Sequence, residues 1–185
     1  MAKTFNVEYG RATSDPKARF LPLWWERHQL DHDLPVKDNI ANLREKLPVK
    51  GAGLYAFIGH HDTQLTQAIL YIGKTTVSQS LRARVPSSLR ELLTDAWDFV
   101  DGDPRTFKSD CWDINVHWAM VRGSKLAAAA ESLLIMSHSP PFNSQQVRRR
   151  KFATNSHLII INTGQKNRLQ PAVVGHAYSY WLVND

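Results

Sequence analysis

The sequence contains two short apolar segments that decide the fold, GLYAFI at residues 53–58 and AILYI at residues 68–72. Each is long enough for one strand and carries the aromatic and β-branched residues that strands favour. A polar stretch that opens with Gly59, His60 and His61 separates them. Because two strands joined by a short loop pair most readily with each other, we expect an antiparallel hairpin here.

Further elements are predicted on both sides of this hairpin. Apolar spacing indicates helices at residues 38–47, 80–85, 87–99 and 124–136, and we expect Pro86 to break the middle pair. Strands are predicted at residues 111–121, 157–162 and 173–183. The fold class is therefore α+β, and we expect a small, mostly antiparallel three-stranded sheet flanked by helices.

The chain divides into three predicted parts. Residues 51–145 contain the hairpin, the third strand and the strongest helix, and we interpret them as the core domain. Residues 1–50 form an N-terminal extension rich in aromatic and basic side chains, which we interpret as a DNA wrap or a dimer contact. Residues 146–185 form a basic C-terminal extension.

The charge is concentrated near the C-terminus. The net charge is +6, and residues 144–185 carry six basic residues against one acidic residue. Such a distribution favours a polyanionic partner, nucleic acid first, although a basic surface that only aids solubility explains it equally well. The single cysteine excludes an internal disulfide and a cysteine-based zinc site, so we expect a cytoplasmic protein. No apolar run approaches the roughly 18 residues of a membrane helix, and we expect no membrane contact.

Glu131 is the most informative single position. It is the only ionisable residue in the ten-residue segment AAAAESLLIM, which is apolar on all sides of a helix. A helix of this kind is usually buried, and a buried carboxylate is costly unless a charge or a metal ion accompanies it. Three interpretations follow: a structural ion pair with an arginine, a glutamate at the one exposed edge of the helix, and a metal ligand.

Several motifs in the core resemble those of the GIY-YIG nuclease family. Gly53-Leu54-Tyr55 and Tyr71-Ile72-Gly73 resemble the paired tripeptides of the family name, and Lys74 follows directly. The segment Ser80–Val85 resembles the family's helix with an essential arginine, and Glu131 opens a segment similar to its metal-binding helix. Pro140–Asn143 resembles the family's proline-containing segment that ends in asparagine. The resemblance covers about residues 51–145, half of the chain.

The resemblance implies a role for each residue. Glu131 would be the single protein ligand of Mg²⁺, for which Mn²⁺ substitutes, and Arg84 would clamp the scissile phosphate with its fork of donors. One interpretation makes Tyr55 the general base, if Lys74 lowers its pKa, and Tyr71 the residue that orients water or phosphate. The resemblance leaves open which of the two tyrosines is the base. Asn143 would brace the glutamate helix or the site.

The sequence also departs from the family pattern. Leu54 replaces the isoleucine of the first tripeptide, and Ser88 stands where many members have histidine or tyrosine. Two arginines compete for the essential position. Spacing from Leu81 favours Arg84 and leaves Arg82 as a DNA-binding residue.

These observations predict a magnesium-dependent DNA endonuclease that acts on double-stranded DNA. The short flanks resemble those of the type II restriction enzymes of the family, so we expect a site-specific restriction endonuclease, and a homodimer if the target is palindromic. One alternative is a structure-specific or single-strand nuclease. Another, outside the enzymes, is a catalytically idle DNA-binding protein on the same fold.

The basic run Arg148, Arg149, Arg150 and Lys151 is predicted to contact DNA phosphates. Replacing all four residues with alanine should weaken DNA binding and flatten its salt dependence, because each lost phosphate contact lowers the log–log slope by about 0.9. Affinity measured over a series of salt concentrations checks this. An unchanged slope would show that the run does not touch DNA.

Overall fold

The computed structural model describes residues 19–61, 64–95, 111–143 and 158–175. Within these ranges the strands are β1 (Arg19–Gln29), β2 (Ala52–His61), β3 (Gln64–Lys74), β4 (Cys111–Val121), β5 (Leu158–Gly164) and β6 (Ala172–Gly175). The helices are α1 (Val36–Lys46), α2 (Leu81–Asp95) and α3 (Ser124–His138), and a short 3-10 turn follows at Pro141–Asn143. The predicted α+β class is confirmed. None of the helices in the described ranges is long and apolar enough to cross a bilayer.

The described strands form one mixed sheet in the order β3-β2-β4-β1-β5-β6. The predicted hairpin is present as the antiparallel pair β2–β3, and the predicted third strand, β4, pairs antiparallel with β2. The prediction of a three-stranded sheet is wrong, because β1, β5 and β6 extend it to six. The pair β1–β5 is parallel and makes the sheet mixed.

Strand β1 escaped prediction because Pro22 interrupts its apolar pattern. Leu21, Leu23 and Trp25 are buried on one face of the strand, whereas Trp24 points the other way and is exposed. Strand β1 pairs with β4 only from Glu26 to Gln29, so no ladder bond on the β4 side is lost at Pro22. The described part of the N-terminal extension thus supplies strand β1 of the central sheet and helix α1.

Helices cover both faces of the sheet. Helix α3 packs through Leu133, Leu134 and Ile135 against a cluster that includes Leu54 and Ile72. Helices α1 and α2 pack on the opposite face, where Tyr55, Phe57 and Trp118 are buried. Because successive side chains of a strand point to opposite faces, β2 and β3 supply residues to both clusters.

Helix α2 runs through Pro86 without the predicted break. The missing N–H of Pro86 removes one backbone hydrogen bond of the helix. The apolar face of α2 includes Val85 before the proline and Leu89 after it. Both side chains are completely buried in the cluster on the face of the sheet that α1 and α2 cover. Packing of this face outweighs the loss of one hydrogen bond.

The C-terminal strands agree in part with the prediction. Strand β5 covers most of the predicted segment 157–162, and β6 covers the beginning of the predicted segment 173–183. The remainder of that segment, residues 96–99 of the predicted helix and the basic run at 148–151 lie outside the described residues.

Two adjacent tryptophans of β1 provide a matched test of this topology. Trp25 is fully buried, and its Nε1 donates a 2.8 Å hydrogen bond to Oδ1 of Asn162 on β5, whereas Trp24 is 68% exposed. Trp25→Phe should lower the free energy of unfolding by about 2–4 kcal/mol, because it leaves a buried acceptor without its donor and removes core volume. Trp24→Phe should change it by less than about 0.5 kcal/mol.

Urea unfolding followed by circular dichroism measures both values. Equal effects of the two substitutions would contradict the assigned faces of β1.

Candidate active site

The glycine of the second tripeptide makes room for the tyrosine of the first. Tyr55 and Gly73 are direct partners across the β2–β3 ladder. A Cβ atom on Gly73 would lie 2.5 Å from the hydroxyl oxygen of Tyr55, so the ring of Tyr55 lies directly over the bare backbone. The two tripeptides therefore form one packed unit.

Tyr55 is completely buried among polar and aromatic neighbours. Its hydroxyl lies 2.8 Å from Oγ of Ser88 on α2, and its ring centroid is 5.9 Å from that of Tyr71. Burial raises the pKa of Tyr55 far above its ordinary value, and Tyr71 adds to the effect. The hydrogen bond with Ser88 and the charge of Arg84 oppose this shift and are outweighed. Tyr55 is therefore protonated at neutral pH.

The two competing arginines have different surroundings. Arg84 is partly buried and interacts electrostatically with Tyr55 and Tyr71; burial acts to lower its pKa, but these interactions and the one with Glu91 raise it overall. Arg82 donates from Nε to the carbonyl of Leu47 and from Nη2 to that of Glu45, both at 3.1 Å. Arg82 thus binds the C-terminal end of α1. Its role in DNA binding stays a prediction.

Lys74 does not lie beside Tyr55, and the expectation that it lowers the pKa of Tyr55 is wrong. Strand alternation places Tyr71 and Gly73 on the α2 face of β3 and Lys74 on the α3 face. There the Nζ atom of Lys74 lies 2.5 Å from Oε2 of Glu131. A buried, protonated Tyr55 that lacks a neighbouring ammonium is poorly suited to act as a general base.

Glu131 is the buried half of this ion pair. Its side chain is 4% exposed, against 31% for Lys74. The apolar surroundings predicted for Glu131 are present, since Ala127, Ala130 and Leu134 are buried around it on α3. Lys74 of β3 is thus one ion-pair partner of Glu131. The predicted pairing of Glu131 with an arginine stays a prediction.

Asn143 binds β3, the strand that carries Lys74, from the 3-10 turn that follows α3. Its Oδ1 accepts a 2.8 Å hydrogen bond from the N–H of Ile72, and its Nδ2 donates a 2.9 Å bond to the carbonyl of Ile72. Strand β3 lies at one edge of the sheet, where backbone groups need partners from outside the ladder. Asn143 is predicted to brace either the glutamate helix or the site. Its hydrogen bonds fix the backbone of β3 at Ile72.

Two residues that sequence reasoning did not assign a role complete the unit. Thr75 is fully buried; its N–H donates to the carbonyl of Gly53, and its Oγ1 accepts from the N–H of Gly53 at 2.9 Å. Ser88 supplies the hydroxyl that bonds Tyr55. The position of Thr75 directly after Lys74 is the only sequence signal for it, whereas Ser88 stood out by replacing the aromatic or histidine residue of the resemblance.

The four residues Tyr71–Lys74 are thus the point where all the other motif elements meet. Tyr55 packs on Gly73, Arg84 interacts with Tyr71, Asn143 bonds Ile72, and Glu131 pairs with Lys74. These partners come from positions 55, 84, 131 and 143, and only the tertiary fold brings them to one strand segment. The segment Tyr71–Lys74 is called the site strand below.

At this site, Glu131 supplies a carboxylate that is able to bind a metal ion. Among the described residues, no group of three or more His, Cys, Asp or Glu side chains is arranged to hold a metal ion. The ammonium of Lys74 already occupies a cation position beside Oε2 of Glu131. One carboxylate with water and substrate phosphate is a normal ligand set for Mg²⁺, so these residues fit that ion as a single protein ligand.

Comparisons of the chain with models of protein families, with curated proteins and with solved structures gave no match. The interpretation of the site rests on its geometry and on the motif resemblance.

Gly73→Ala should displace the ring of Tyr55 and separate its hydroxyl from Ser88. We expect a loss of about 1–3 kcal/mol in the free energy of unfolding, because a methyl group added to a filled space forces its neighbours to shift. The loss should be much smaller in a Tyr55→Leu background, where the ring that the methyl group meets is absent. Chemical denaturation of the four proteins measures the coupling, and additive losses would contradict the packing described.

Proposed function

We propose that the protein is a magnesium-dependent DNA endonuclease. The observation that carries the proposal is the convergence of the five motif elements on the site strand. Each element contributes a group that phosphodiester hydrolysis requires or a contact that positions such a group. The excess of basic residues supports a polyanionic substrate.

In this proposal, Arg84 and Tyr71 are the groups that meet the scissile phosphate. Both are partly exposed on the α2 face of the site strand, whereas Tyr55 is fully buried beneath them. A guanidinium binds two phosphate oxygens at once and stabilises the charge that develops on them during hydrolysis. Tyr55, held by Ser88, orients Tyr71 and Arg84 from below and takes no proton from water.

Glu131 and Lys74 provide the charged groups of the second half of the site. Glu131 would hold Mg²⁺, which would supply charge neutralisation at the phosphate and a more acidic water. The two halves lie on opposite faces of β3, and this strand is at the edge of the sheet. An extended polyanion that passes around this edge beyond Ile72, whose outer backbone groups Asn143 occupies, would contact both halves.

The substrate is proposed to be double-stranded DNA cleaved at specific sites, in the manner of a type II restriction endonuclease that acts as a homodimer on a palindromic target. The resemblance to compact members of the family supports this choice. A structure-specific nuclease and an inactive DNA-binding protein are the competing functions.

Incubation with unmethylated phage DNA and Mg²⁺ separates these functions. Discrete fragments indicate site-specific cleavage, and a smear indicates a nuclease without sequence preference. Intact DNA that is nevertheless retarded in a gel shift would favour the binding protein and contradict the proposal.

The two arginines of α2 give a matched pair of variants. Arg84→Ala should lower the cleavage rate by about 10²–10³-fold at an almost unchanged melting temperature, because it removes a donor to the transition state. Arg82→Ala should lower stability by about 1 kcal/mol, because it removes two bonds to the end of α1, and cleavage by the folded protein should continue. Single-turnover cleavage and thermal unfolding of both variants measure this, and the reverse pattern would make Arg82 the essential arginine.

A further inference from the structure

The ion pair between Lys74 and Glu131 has an uneven exposure. Glu131 is buried in α3, and the more exposed Lys74 approaches it from the last position of β3. The Nζ atom of Lys74 lies 2.5 Å from Oε2, within hydrogen-bonding distance. Lys74 is therefore a cation that balances charge at the buried carboxylate.

A second cation at Glu131 is opposed by this ammonium. Glu131 carries one negative charge, which Lys74 already balances, and Mg²⁺ beside the pair would leave an excess of two positive charges. Like charges a few ångströms apart in a poorly hydrated site repel strongly. The metal ion and the ammonium cannot both occupy the position beside Oε2.

Lys74 is able to leave that position without unfolding the site. Its side chain is flexible and partly exposed, and its ammonium is well hydrated in water. The backbone of the site strand is held independently, by Asn143 at Ile72 and by the ladder with β2. Movement of this one side chain therefore vacates the position beside Oε2 of Glu131.

We propose that Lys74 is a built-in competitor of the metal ion, which binds Glu131 only by displacing the ammonium. The inference rests on the proposed function for the identity of the metal ligand. It makes the free protein a weak binder of Mg²⁺. A bound DNA phosphate compensates the charge of the displaced ammonium, so DNA and Mg²⁺ strengthen each other's binding, as reciprocal coupling requires.

Lys74→Met tests the competition, because methionine keeps most of the side-chain volume and removes the charge. Calorimetric titration of the DNA-free protein with MgCl₂ should show an affinity at least about tenfold higher than that of the wild type, since the repelling charge is gone. Lys74→Arg, which retains the charge, should stay within about threefold of the wild type. Lys125→Met, at an exposed lysine of the same helix as Glu131, is the control and should leave the affinity unchanged.

Thermal unfolding gives a second readout that is independent of cleavage. In EDTA, Lys74→Met should melt below the wild type, because the buried carboxylate has lost its ammonium partner, and MgCl₂ should restore most of the loss. The wild type should respond little to MgCl₂. An affinity of Lys74→Met equal to that of the wild type, or melting that MgCl₂ does not restore, would overturn the proposal.

Glu131→Gln separates this inference from the proposed function. It should abolish Mg²⁺ binding in both the wild-type and Lys74→Met backgrounds, and retention of binding would overturn the inference by placing the metal elsewhere. Mg²⁺-dependent cleavage by the wild type together with an unchanged affinity of Lys74→Met would leave the nuclease standing and refute the competition. A tighter Mg²⁺ affinity of Lys74→Met without any cleavage by the wild type would support the competition and refute the nuclease.

Discussion

The position of β3 at the edge of the sheet is the constraint on which the rest of the structure depends. An edge strand has outward-facing backbone groups that the ladder does not satisfy. Asn143 satisfies both such groups of Ile72, and it does so from the turn that follows α3. This contact ties the end of α3 to the site strand. The position of Glu131 beside Lys74 depends on the same attachment, because Glu131 is carried by α3.

The two faces of the site strand have different chemical characters. On the α2 face, the rings of Tyr55, Phe57 and Tyr71 lie with centroids 5.6–5.9 Å apart and hold Arg84 near two hydroxyl groups. On the α3 face, the ion pair of Lys74 and Glu131 lies among buried apolar side chains. In the proposed function, the rigid aromatic cluster suits Arg84, which presents donors of fixed geometry to phosphate. The flexible side chain of Lys74 suits a position where one cation replaces another.

The ion pair also shows how stability and function are linked in this protein. A buried carboxylate destabilises a fold unless a cation accompanies it, and Lys74 provides that cation in the folded chain. In the proposed competition, the same ammonium weakens the binding of a metal ion at Glu131. In the proposed competition, Lys74 stabilises the charged carboxylate of Glu131 in the folded protein. The same lysine lowers the affinity of Glu131 for the metal ion in the absence of substrate.

The sequence by itself determined the local elements and indicated candidate site residues. The hairpin of residues 53–74, the strand ending at Val121 and the helix around Glu131 follow from apolar periodicity, which local residues set. It did not determine strand β1, because a proline is compatible with a strand only where the neighbouring strand makes no bond to it, and that depends on β4. Nor did it reveal that Pro86 lies inside α2, since the packing that offsets the lost hydrogen bond comes from distant residues. Only the tertiary structure decided that Lys74 faces Glu131 and not Tyr55, that Arg82 binds α1, and that the hydroxyl of Tyr55 is buried against Ser88. Each of these depends on which face of a strand or helix a side chain occupies relative to partners far along the chain, and no local pattern encodes that relation.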